Sequence, residues 1–248
     1  MPIVLATTTP GEPEIFASLQ GEGPSIGRPS VFVRLSRCNL ACHWCDTAYT
    51  WRFTGDNRPH RSGESFARKA NQIAMGERDA AQAILALGPE RLVITGGEPL
   101  LQASALTKLL TLLREIRPDL HVEIETNGTV EAPPALDALI DQYNVSPKLA
   151  HSGNTPDLAL IPERLQAYAG DPRAFFKFVI AQPGDLEEVL ELKSEYGIPA
   201  TRLQLMPEGT DSATLYDRMH WLAPLAMRHG LRMTDRMHIH IYGDTRGT

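Results

Sequence analysis

Short β-rich runs alternate with helix-length amphipathic stretches along most of this chain, and that alternation is its tightest constraint. Residues 31–35 (VFVRL), 91–95 (RLVIT), 120–125 (LHVEIE), 143–145, 174–180 (AFFKFVI) and 201–205 read as strands. Helical periodicity falls between them, at 77–87, 102–116, 135–142, 185–196 and 215–228. A last strand is expected at 237–242, where Met237, Ile239 and Ile241 alternate with His238 and His240. Strand–helix–strand repeats build a parallel sheet with right-handed crossovers. The expected class is therefore α/β, a full or partial (β/α) TIM-like barrel. The chain has 248 residues and 42% hydrophobic content, enough for one sizeable core, so one domain over 1–248 is expected.

In such barrels the chemistry sits at the carboxyl ends of the strands. The unusual residues of this chain sit there too. Cys38, Cys42 and Cys45 follow the run at 31–35 and are all the cysteines present. Gly96-Gly97-Glu98-Pro99 follows the next strand, and Thr126-Asn127-Gly128 the one after. Ser146-Pro147-Lys148 and the stretch Gln204 to Pro207 close two more.

Charge and hydropathy exclude some classes. The formal charge is −6, with no block of Lys and Arg to follow a phosphate backbone, so nucleic acid is not an expected partner. Apolar runs such as 158–161 are far too short to span a bilayer, and the N-terminal segment lacks the pattern of a signal peptide. The expected compartment is the cytoplasm, where thiols stay reduced and clustered cysteines are more often metal ligands than disulfide partners.

The cysteines are spaced C-x3-C-x2-C. A structural zinc would want four N or S ligands. His43 is adjacent to Cys42 and poorly placed to join the same metal, and no second cysteine pair exists. Inert core cysteines are the other ordinary reading. An iron–sulfur cluster fits better, since four irons normally take four thiolates and three leave one iron open. Catalytic metal sites keep an open position, which here asks for a small-molecule ligand.

Together with Gly96-Gly97-Glu98-Pro99 at the next strand end, this spacing resembles the radical S-adenosylmethionine superfamily. That resemblance implies a modified barrel and a [4Fe-4S] cluster whose open iron is chelated by S-adenosylmethionine. A 5′-deoxyadenosyl radical then removes a hydrogen from substrate. Narrower features are Leu19-Gln20-Gly21-Glu22-Gly23, Arg34, Asp46-Thr47, Glu125-Thr126-Asn127-Gly128, Ser146-Pro147-Lys148 and the final Arg246-Gly247-Thr248. These are similar to the 7-carboxy-7-deazaguanine synthases. The resemblance implies a homodimeric carbon–nitrogen lyase of queuosine and 7-deazapurine biosynthesis. Its substrate is 6-carboxy-5,6,7,8-tetrahydropterin, contracted to 7-carboxy-7-deazaguanine with loss of ammonia. Mg2+ and a flavodoxin- or ferredoxin-like reductant are also implied.

Residue roles follow from the same resemblance. Leu19, Gln20 and Gly21 would hold the pterin, and Arg34 its carboxylate through the planar guanidinium. Thr95 and Thr248 would also meet substrate. Thr47 would place its hydroxyl on Mg2+. Trp44, Asp46, Gly97, Thr126 and Asn127 would border the cofactor, with Glu98 facing its α-amine. Ser146, Pro147, Lys148, Gln204, Met206 and Pro207 would line the same pocket. Each has an ordinary alternative: Arg34 paired with an acid, Thr47 as a helix cap, Lys148 on the surface, Met206 in the core. Gly96 and Gly97 are expected to let backbone approach the cofactor. Segments 55–75 and 149–162 match no assignable motif. Two rival functions are a glycyl-radical enzyme activase and a non-catalytic iron–sulfur protein.

Overall fold

The computed structural model describes residues 2–248. The chain opens with β1 (Ile3–Thr9), β2 (Glu12–Pro13), β3 (Ile15–Leu19) and β4 (Pro29–Leu35). A long excursion then carries α1 (Arg68–Asn71), β5 (Gln72–Met75) and α2 (Glu77–Ala86). Regular units follow: β6 (Arg91–Gly96), α3 (Ala103–Ile116), β7 (His121–Thr126), α4 (Pro134–Asp137) and β8 (Gln142–Val145). They continue with α5 (Pro156–Ala159), α6 (Pro162–Gly170), β9 (Ala174–Ile180), α7 (Asp185–Tyr196) and β10 (Leu203–Pro207). The chain closes with α8 (Ser212–Arg228), β11 (Arg232–Met233) and α9 (Met237–Tyr242).

All these strands join one sheet in the order β11-β10-β9-β8-β7-β6-β4-β1-β2, with β3 also paired to β4 and β5 to β1. From β4 through β11 the path is parallel. Strands β1, β2, β3 and β5 add antiparallel pairs at one end. The two ends of the path do not pair, so the structure is a partial barrel with parallel strands in chain order, as the sequence pattern implies.

Alternate residues on a strand face opposite sides of the sheet. Val31, Val33, Leu92, Ile94, Val122, Ile124, Phe176 and Phe178 face the helix layer. There they meet Leu106, Leu109, Leu113, Val189 and Leu222 in one buried apolar cluster. In α3 the buried positions Leu106, Leu109, Leu110 and Leu113 recur at helical spacing, which gives the helix its stripe against the sheet. The residues between them on the strands, Arg34, Thr95, Glu125, Lys177 and Met206, line a cavity on the concave side.

Two expectations are corrected. The segment 237–242 is the helix α9, not a strand. The last edge position is already taken by β11 on β10, and Arg236, tied to Glu22, fixes the chain just before the helix begins. The helix expected over 135–142 shrinks to α4, and Gln142 instead starts β8, with its side chain bonded to Ser25. The apolar spacing of Leu136 and Ile140 looks helical, but both simply pack into the common core. Five strands escaped the pattern: β1, β2, β3 and β5 are antiparallel additions outside the strand–helix rhythm, and β11 is a two-residue parallel edge on β10.

Candidate active site

A cavity of about 580 Å³ opens at the carboxyl ends of the parallel strands. Cys38, Cys42 and Cys45 all border it. The chain enters their loop through Arg37, the one non-glycine residue with positive φ among the described residues, at 82°. Such backbone is strained for a side-chain-bearing residue and clusters at functional turns. It is held by Arg37 N–H donating to Thr50 O at 2.7 Å and Arg37 O accepting from Glu98 N–H at 2.9 Å.

Burial pushes the thiols up, Cys38 to about 12 and Cys42 to about 11, and it raises Cys45 as well. Thiolates here therefore need a cationic partner to replace lost hydration. Among the described residues no three His, Cys, Asp or Glu side chains converge closely enough to chelate one ion. All three cysteines border the same cavity, and a polynuclear cluster takes its thiolates on separate corners. N–H donors also approach the sulfurs: Trp51 Nε1 lies 3.4 Å from Cys45 Sγ and Asn154 Nδ2 lies 3.3 Å from Cys42 Sγ. The donor set thus fits an iron–sulfur group.

Beside the cysteines lies a buried charge network. Lys177 Nζ bonds Glu22 Oε2 at 2.5 Å and Glu125 Oε2 at 2.9 Å. Arg236 bonds Glu22 Oε1 at 2.8 Å, Gly209 O at 2.5 Å and the Asp46 carboxylate. Burial opposes ionisation of Glu22, yet Lys177 and Arg236 outweigh it and hold its carboxyl well below the usual range. Asp46 is likewise lowered, against burial, chiefly by Arg236. Lys177 and Arg236 are held more firmly cationic by the same acids. His238 packs over Gly21, where a Cβ would lie 2.1 Å from its Nδ1, and burial keeps it toward the neutral form. Arg34 forms a second group: its Nε bonds Glu14 Oε1 at 2.6 Å, and the Tyr49 hydroxyl donates to the same carboxylate.

The fold brings most residues expected from sequence to this cavity: Leu19, Gln20, Gly21, Arg34, Trp44, Asp46, Thr47, Thr95, Gly97, Thr126, Asn127, Ser146, Lys148, Met206 and Thr248. Thr47 makes no capping bond, and its hydroxyl sits 3.6 Å from Cys45 Sγ. Lys148 bonds Ser146 Oγ at 2.8 Å and stands 5.8 Å from the Trp44 ring. The Gln20 amide donates to Glu123 and Glu125, so its side chain fixes those acids.

Glu98, Pro147, Gln204 and Pro207 do not line the cavity. The Glu98 carboxylate turns inward and accepts from Leu100 N–H, Asn127 N–H and Thr126 Oγ1. Burial nonetheless raises it to about 7. Its contacts tie the GGEP turn to the TNG turn. Gly96 and Gly97 have a second role beside the one expected. Both line the cavity, and a Cβ at either would strike the Leu35 or Arg37 backbone at 2.1 Å and 2.0 Å, so these glycines also let two strand ends meet.

Lys177, Arg236, Tyr49, His60, Arg61 and Glu208 line the cavity but carry no motif. For Lys177 a signal existed: a single cation within the apolar strand AFFKFVI, between two outward-facing phenylalanines.

Residues 33–157 match the Radical SAM superfamily. The 7-carboxy-7-deazaguanine synthase of Pyrobaculum aerophilum is 38% identical over 94% of this chain and 95% of its own length. That of Hyperthermus butylicus is 35% identical over 91% of this chain and 90% of its own, and that of Halobacterium salinarum 36% over 93% and 90%. The crystal structure of QueE from Escherichia coli shares the fold, with a TM-score of 0.66, 24% identity and 95% of each chain covered. By these similarities the chain belongs to the 7-carboxy-7-deazaguanine synthase family of the radical SAM superfamily.

Proposed function

We propose that the chain converts 6-carboxy-5,6,7,8-tetrahydropterin to 7-carboxy-7-deazaguanine with loss of ammonia, as a carbon–nitrogen lyase of queuosine or 7-deazapurine biosynthesis. One observation carries this reading: three cysteines share a cavity with a buried set of paired acids and bases. The relatives favour neither a glycyl-radical activase nor a non-catalytic iron–sulfur protein.

When bound on Cys38, Cys42 and Cys45, a [4Fe-4S] cluster with S-adenosylmethionine would supply the hydrogen abstraction. The rest is positioning. Arg34, its Nε fixed by Glu14, presents its guanidinium to the substrate carboxylate. Glu125, oriented by Gln20, Asn144 and Lys177, offers an acceptor to the N–H edge of a pterin. Lys148 and Ser146 border the cofactor side, where Lys148 can pair with a carboxylate. Thr47 offers an oxygen to Mg2+, whose remaining ligands would come from substrate and water. Burial of the cavity floor excludes water from reactive groups.

The same resemblance supports a homodimer, a flavodoxin- or ferredoxin-like reductant and a cytoplasmic location. Among the described residues no helix is long and apolar enough to cross a membrane. One sheet that draws strands from Ile3 to Met233 supports reading 1–248 as a single domain. The test is an anaerobic assay of reconstituted protein with the carboxytetrahydropterin, S-adenosylmethionine, Mg2+ and reductant. Deazaguanine product is expected; its absence from protein with an assembled cluster rejects the assignment.

A further inference from the structure

Segments 55–75 and 149–162, which carry no motif, both bond to the cysteine loop. From one side His60 Nε2 lies 2.7 Å from the Cys45 carbonyl oxygen. On the same side Arg61 N–H donates to His43 O at 2.8 Å. From the other side His43 N–H donates to Ser152 O at 2.8 Å. Asn154 does more than either. Its Oδ1 accepts from Ala41 N–H at 2.9 Å, while its Nδ2 donates to Cys42 Sγ at 3.3 Å. One amide thus grips the loop backbone with one end and a cysteine sulfur with the other. The fully buried Ser152 accepts from the same Nδ2 at 3.1 Å and fixes its direction. Ala159 and Leu160 pack on Leu40 and Cys42 behind it.

Trp51 mirrors this arrangement. Its ring is 4% exposed, with His60 at 6.2 Å and the Arg58 guanidinium at 4.7 Å. Those contacts aim Nε1 at Cys45 Sγ. Cys38 is treated differently. Asn127 Nδ2 stands 4.0 Å from its sulfur and makes its shorter bond, 3.0 Å, to Asn39 Oδ1. Side-chain N–H donors therefore favour two of the three sulfurs, while Cys38 receives the Leu40 backbone N–H from within the loop.

Hydrogen bonds to cluster sulfurs withdraw electron density and stabilise the reduced form, which raises the reduction potential. Resting on the reading that these cysteines carry a [4Fe-4S] cluster, we propose that Asn154 and Trp51 are positioning residues that set its reduction potential through Cys42 and Cys45. Segment 149–162 thereby tunes the metal centre through Asn154, and segment 55–75 by packing His60 and Arg58 on Trp51.

The test is a potentiometric titration with dithionite of anaerobically reconstituted protein, without substrate or S-adenosylmethionine, read by the electron paramagnetic resonance of the reduced cluster. Asn154→Asp keeps an oxygen for Ala41 N–H and removes the donor to Cys42, but its added negative charge pushes the potential the same way, so the charge-neutral Trp51→Phe is the discriminating variant. Trp51→Phe keeps a packed ring and removes the donor to Cys45. Each variant should lower the reduced-to-oxidised ratio at fixed potential about tenfold, a shift of about 59 mV to the negative for a one-electron couple. The double variant should show the sum of both shifts. Thr155→Ala, an exposed neighbour of Asn154 whose side chain makes no capping bond and no sulfur contact, should leave the potential in place. If Asn154→Asp loses iron, Trp51→Phe decides alone. A wild-type cluster whose potential moves in neither variant overturns this inference and leaves the proposed function standing. A wild-type protein that assembles no cluster overturns both.

Discussion

The two faces of the parallel strands are made by neighbouring residues and obey opposite rules. On β9, Phe176 and Phe178 are fully buried in the helix-side core, while Lys177 between them points into the cavity and holds Glu22 and Glu125. On β7, Val122 and Ile124 face the helices, and Glu123 and Glu125 face inward. The outer face is stabilised by apolar area, is nondirectional and tolerates swaps of similar volume. The inner face consists of desolvated charges, each stable only because a specific partner is in place. Specificity for one arrangement is therefore concentrated inside, and tolerance to change outside.

Replacing one inner residue should have the largest effect. Lys177→Met leaves Glu22 and Glu125 without their shared cation, at a cost of about 3–5 kcal/mol. Turnover by the folded protein should fall at least ~100-fold through misplaced acids. Denaturant melts and single-turnover assays check both. Adding Glu125→Gln should recover part of the stability, which a packing role for Lys177 would not allow. On the outer face, Phe176→Ala should cost a comparable ~3–5 kcal/mol, yet turnover per folded molecule should stay within about twofold. A large loss of turnover there would break the contrast between the faces.

Acid should reveal the inner face selectively. The carboxyl of Glu22 is depressed, so its contribution is whole above about pH 4.5 and is lost as pH falls through its native value. Wild type should exceed Glu22→Gln by roughly 1–3 kcal/mol at pH 7, and the gap should close steadily below pH 4.5. Melting temperatures across that range test it, and a constant gap would sink the sign. The smallest expected stability change belongs to Thr47→Ala, within ~0.5 kcal/mol, because the Thr47 hydroxyl caps no helix. Its proposed part in holding Mg2+ predicts that added Mg2+ raises the turnover of wild type and not of the variant.

Local pattern made much of this legible. Period-two and helical spacing located β4, β6, β7, β9, β10 and the long helices, because burial against a common layer imposes those periods. Cys38, Cys42 and Cys45 and the strand-end turns were visible because their spacing is local, whereas the roles expected of Arg34 and Thr47 came from the family resemblance alone. The N-terminal β1 and β3 were missed because antiparallel edge pairing leaves no rhythm with helices. α9 was misread because Met237 to Ile241 carries a strand's alternation, whereas its conformation depends on what edge remains free. Glu98 has the residue type to face a cofactor, but its direction is decided by Thr126 and the Asn127 backbone, both on the following strand's end.

By itself, the sequence determined the α/β class, the order of the parallel strands and the three-thiol loop, since each follows from short-range periodicity or spacing. Tertiary structure alone decided which charges became partners. Lys177 meets Glu22 across 155 positions, Arg236 meets Asp46 across 190, and Asn154 reaches Cys42 across 112. The physical reason is that an ion pair or hydrogen bond is set by distance in space, and curling the sheet into a partial barrel is what makes those distances short.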